Sequence, residues 1–67
     1  MKEQIKQLIQ QHKQAKEEVW GCLNELSQFD EDKMSKEEVD TLEKVKSRYS
    51  EEYVWRGVFI SQLEDLL

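Results

Sequence analysis

The chain has 67 residues, no proline, two glycines, one cysteine, one histidine and a net charge of −5. That length sets one domain, residues 1–67, in a size range where a lone core usually needs disulfides, metal or oligomerisation as reinforcement. A single cysteine and a single histidine exclude an internal disulfide and the usual zinc ligand set, which leaves oligomerisation.

The first predicted element is a helix over residues 2–29. Met1, Ile5, Leu8, His12, Ala15, Val19, Cys22, Leu26 and Phe29 recur at alternating spacings of four and three. This is the seven-residue repeat of a coiled-coil seam, and Ile9 and Leu23 widen it to the stripe of a bundle helix. The opening residues hold no continuous apolar run, so neither a signal peptide nor a membrane span is expected. A lone cysteine without an export signal fits a reducing cytoplasm. Lys2, Lys6, Lys13 and Lys16 stand against Glu3 alone in residues 1–16, whereas the rest of the chain is strongly acidic. A mostly acidic surface favours basic protein partners over phosphate backbones.

His12 falls on the seam. Buried polar groups need partners, and Glu52 or Tyr53 across a hairpin would serve; protonation there would act as a pH switch. Cys22 reads as a small buried apolar residue rather than a thiolate nucleophile. His12 is about 15 Å from it along the helix. No nucleophile–base pair, Glu-x-x-His metal motif or nucleotide loop is present, so the chain is read as non-enzymatic and free of cofactors.

Asp30-Glu31-Asp32-Lys33 contains no apolar residue and marks the turn. Ser35 followed by Glu38 is a capping box, and Met34 with Val39 fits the hydrophobic staple that accompanies it. A second helix is predicted over residues 36–66. Its stripe is Val39, Leu42, Val45, Tyr49, Tyr53, Ile60, Leu63 and Leu67. Two long helices joined by a short turn make an antiparallel helical hairpin, an all-α fold. With the turn centred near residue 32, facing residues should have numbers summing to roughly 64. That would set Val19 near Val45, Leu8 near Arg56 and Ile5 near Phe59.

Tyr53-Val54-Trp55-Arg56-Gly57-Val58-Phe59-Ile60 is apolar nearly all round the helix. One neighbouring helix covers only one side, and a segment apolar on every side is normally buried on every side. Trp20, Val54, Trp55, Arg56, Val58, Phe59 and Leu66 are therefore the candidate interface. Two hairpins pairing through it would form a homodimeric four-helix bundle. The same composition, aromatics beside an arginine, suits docking of another protein. Arg56 needs a carboxylate, with Glu3 or an acid of the partner as candidates. Gly21 and Gly57 are candidates for close helix approach.

Leu23-Asn24-Glu25-Leu26 before an acidic turn, together with the size and hairpin plan, resembles the Rop family of plasmid RNA-binding four-helix bundles. That resemblance implies an alternative in which Lys2, Lys6, Gln10 and Lys13 of the first helix contact paired RNA loops. The Trp55-Arg56-Gly57 triplet resembles that of the secreted WXG helical hairpins, where it lies in the turn rather than mid-helix.

Overall fold

A computed structural model describes residues 1–67 as two antiparallel helices in a rod of 51 × 14 × 11 Å. Helix α1 spans Lys2–Leu26 and α2 spans Lys36–Glu64, with a single 3-10 turn at Glu31–Lys33 between them. The chain is an all-α helical hairpin without strands, as the periodicity predicts. No helix is long and apolar enough to cross a membrane.

Both helices are shorter than predicted at their C-terminal ends. The amides of Gln28 and Phe29 turn to the carbonyls three residues back, at 3.2 and 3.4 Å, and the Ser27 hydroxyl donates to the Asn24 carbonyl at 2.8 Å. These tighter bonds satisfy carbonyls that a longer helix would use, and they unwind α1 after Leu26. α2 ends in the same way, with Leu66 and Leu67 donating to Leu63 and Glu64. Neither end carries a glycine or proline, so nothing in the sequence marks the stop.

The start of α2 is as predicted. Ser35 Oγ accepts from the Glu38 amide at 3.2 Å, and the Ser35 amide donates back to Glu38 Oε1 at 3.4 Å. In the linker, Asp30 accepts from the Asp32 amide at 3.1 Å, which fixes the 3-10 turn.

The register differs from the prediction by about one and a half helical turns. Arg56 reaches His12 rather than Leu8, and Trp20 and Lys16 lie against Tyr53. The linker covers residues 27–35 instead of a four-residue turn, so α2 starts beyond the end of α1 rather than level with it. Facing numbers consequently sum to roughly 70 at the helical rise of about 1.5 Å per residue.

The core is thin. Only Ile9, Val19, Leu42 and Ile60 are buried, and no side chain is completely enclosed. Two helices touch along one line, so each keeps most of its circumference in water. Nine large apolar residues stay exposed, more than twice the number buried.

Candidate interaction surface

Antiparallel packing divides the candidate interface residues between separate sides of the rod. On the first side, Lys13, Lys16, Glu17 and Trp20 of α1 line a groove of about 460 Å³ with Tyr53, Gly57, Ile60 and Ser61 of α2. Trp20 packs on Tyr53 at 5.6 Å between ring centroids, and Lys16 Nζ sits 4.5 Å above the Tyr53 ring. Such ammonium–ring contacts are favourable when the ring face is open, and they lay the lysine stem across apolar surface. The sequence alone did not single out Lys16 for this role.

On the opposite side, Trp55 and Phe59 pack at a tilt with ring centroids 6.2 Å apart, and Phe59 lies tilted against the His12 ring at 5.6 Å. Leu66 stands almost two turns beyond Phe59 on the same flank, so the three form a ridge at the open end of the hairpin. Trp55 is 58 % exposed, Phe59 42 % and Leu66 65 %. Val54 is exposed and Val58 half-buried, and by helical spacing both lie toward the back of α2, away from this ridge. Trp20 and Trp55, grouped together by the sequence, therefore face different directions.

The turn end of the ridge side holds a recess that the sequence reading missed. Leu26, Phe29, Met34, Leu42 and Val45, with Thr41 and two glutamates, line about 500 Å³ of open apolar space. Phe29 is the signal that could have found it. It is a large apolar residue set against an all-charged turn, and it is 56 % exposed. Thr41 in the recess and Phe59 on the ridge are five helical turns apart, so they point the same way at about 3.6 residues per turn. Between them a shallower depression is lined by Val45, Arg48, Tyr49 and Glu52.

Arg56 lies in the crevice between the helices. Its Nε and Nη2 donate to one oxygen, Glu52 Oε1, at 3.0 and 2.9 Å, and its Nη1 lies 3.0 Å from His12 Nδ1. Glu52 thus supplies the carboxylate expected from Glu3 or a partner; Glu3 instead pairs with Lys6 at 3.7 Å. His12 meets Arg56 and Phe59 rather than Glu52 or Tyr53. Glu52 keeps its second oxygen free, and Arg48 makes no ion pair within the chain.

The glycines do not mediate close approach within the hairpin. A Cβ on Gly21 would meet nothing within 4 Å, and one on Gly57 would meet the end of the Lys16 side chain at 3.4 Å. Lys2, Lys6, Gln10 and Lys13 lie along one side of α1, and Trp20 continues that line toward the turn. The structure groups no three His, Cys, Asp or Glu side chains in a metal-holding arrangement. Cys22 is half-buried, with a free thiol. No family model, curated protein or solved structure matches this chain.

Proposed function

We propose that this chain is a small, non-enzymatic, acidic interaction protein of the regulatory type, such as an inhibitor, antirepressor, adaptor or chaperone. It binds another protein through an aromatic helical surface, and it does so as a homodimer that closes into a four-helix bundle over the ridge of Trp55, Phe59 and Leu66. The observation that carries this reading is the exposure of the ridge beside a core of only four buried residues. A contiguous aromatic patch of this kind is uncommon on a monomer and is typical of a binding surface. A cytoplasmic location belongs to the same proposal and rests on the single free thiol.

The test is the mass in solution of the native chain and of a Trp55→Ala/Phe59→Ala variant, with helicity checked by circular dichroism. The native chain is expected at twice its 8.1 kDa, and the variant is expected as a helical single copy. A native chain that stays single at high micromolar concentration, with its ridge wet, ends the homodimer reading. Retention of a partner from host lysate by the native chain, and its loss on the variant, tests the wider one.

One observation supports a second reading, RNA binding by α1. Trp20, packed at a tilt against Tyr53, lies in line with Lys2, Lys6, Gln10 and Lys13 and supplies an aromatic surface beside the basic residues. Basic residues for phosphates with an aromatic for base stacking is the pattern that single-stranded loops require. Binding of looped RNA that falls steeply with added salt supports this reading, and its absence at low salt removes it.

A further inference from the structure

The rod is electrically lopsided. Its turn half, residues 17–52, carries twelve acidic and five basic residues, a net of −7. Its open half, residues 1–16 and 53–67, carries five basic and three acidic residues, a net of +2. The ridge side is lopsided as well, with aromatics projecting at the open end and an apolar recess at the turn end. We infer that the occupant of this side is a second copy of the chain laid antiparallel to the first, each ridge seated in the other's recess. The inference rests on the homodimer reading above and adds orientation and contacts to it.

Three observations fix the geometry. The first is charge. Hairpins laid in parallel would bring two halves of −7 together at the interaxial distance of packed helices, about 8–10 Å. That is comparable to the screening length of about 8 Å at physiological salt, so the repulsion would persist. The antiparallel arrangement sets each −7 half beside a +2 half.

The second is self-complementarity. A two-fold axis requires that if one residue meets another, the reverse contact also exists. An axis crossing α2 level with residue 50 lays Phe59 over the partner's Thr41 and Trp55 over the partner's Val45. Both targets line the turn-end recess.

The third is the centre. The same axis sets Arg48, which has no ion-pair partner within its own chain, opposite the partner's Glu52. Glu52 has given only one oxygen to Arg56, so its other oxygen is open to Arg48 of the second copy. The arrangement stacks α1 on α1 and α2 on α2. Cys22 lies level with the axis on the ridge side of α1, so the two Cys22 thiols face each other across it. The Lys16, Trp20 and Tyr53 side remains outward on both copies and stays free for a further partner.

The test separates orientation from association. First, the native chain is weighed in solution. Second, it is treated with copper phenanthroline, which oxidises two facing thiols to one disulfide with loss of two protons and two electrons to the oxidant. Third, a Cys22→Ser/Lys2→Cys variant is spin-labelled and the label separation is measured by pulsed electron resonance. A dimer mass, a covalent Cys22-linked dimer and labels roughly 60 Å apart by the helical rise are the expected results. A dimer mass with labels within about 25 Å, the reach of neighbouring helices plus label arms, overturns the antiparallel arrangement while leaving self-association standing. A dimer that fails to crosslink through Cys22 overturns the placement of the axis. A single-copy mass instead removes the homodimer reading on which the inference rests.

Discussion

Arg56 Nη1 lies 3.0 Å from His12 Nδ1, a contact that ties the two helices together at the only histidine. A guanidinium only donates, so this contact is a hydrogen bond in the tautomer whose Nδ1 accepts, the one that carries its proton on Nε2. The Phe59 ring covers the imidazole at 5.6 Å, and Glu52 holds the guanidinium from behind at 2.9 Å. The seam position that periodicity gave to an apolar residue is thus filled by an ordered polar pair under an aromatic cover. Polar seam residues of this kind specify register at some cost in stability.

The tautomer is directly testable. Long-range nitrogen–proton correlation spectra of the folded chain at mildly alkaline pH should show an unprotonated Nδ1 and a protonated Nε2. The Arg56→Leu variant should lose that preference and lose about 1 kcal/mol of stability, the usual net worth of a part-exposed hydrogen-bonded group. A protonated Nδ1 in the native chain would mean that Arg56 does not reach the ring.

What could be read from the sequence divides along physical lines. The two helices, the capping box at Ser35 and the stripe residues Leu42 and Ile60 follow from local rules of spacing and hydrogen bonding. The pairing of His12 with Arg56 does not, because periodicity fixes which side of a helix faces its neighbour and leaves free how far one helix slides along the other. The slide depends on where α1 unwinds, and Ser27 to Phe29 achieve this with short-range bonds that no glycine or proline announces. The separation of Trp20 from Trp55 was missed for a related reason. Each residue's angle is known on its own helix, but which flanks become neighbours emerges only when the helices are laid antiparallel. Lys16 over Tyr53 and the recess around Phe29 both follow from that step.

The cap at the start of α2 should be measurable in isolation. Both bonds of the box lie on an exposed first turn, so their loss exposes amides to water without leaving a cavity. Ser35→Ala is expected to cost about 1 kcal/mol and Ser35→Gly a few tenths of that. At this chain size the alanine variant should melt roughly 4–8 °C lower by circular dichroism. Equal melting of the native and alanine chains would show that the box contributes nothing to folding.

With so few buried residues, each should matter disproportionately. A chain of this length is expected to have roughly 3–10 kcal/mol of total stability at about 0.05–0.15 kcal/mol per residue. Leu42→Ala removes a buried side chain and should cost about 2–4 kcal/mol, a large share of that total. Val54→Ala, on a residue 62 % exposed, should change stability by no more than about 0.5 kcal/mol. Urea titrations at one fixed protein concentration compare the two fairly, since any association stabilises the folded state by mass action. A Val54→Ala cost as large as that of Leu42→Ala would place Val54 in an interface on the back of α2.

The glycines offer the sharpest test of which surfaces are covered. A helix-interior glycine costs about 1 kcal/mol relative to alanine, so alanine should stabilise wherever its methyl group has room. At Gly21 the methyl group meets nothing within 4 Å, and the gain should approach the full value. At Gly57 it meets Lys16 Nζ at 3.4 Å and Cε at 3.9 Å, ordinary contact with the end of a flexible side chain. The gain there should be smaller but still positive, because Lys16 can shift along the Tyr53 ring without leaving it. Thermal melts of Gly21→Ala and Gly57→Ala therefore have a predicted sign and order, both upward and Gly21 more so. A downward shift at Gly21 would require another chain pressed against the back of α1, a side that the antiparallel dimer leaves open to water.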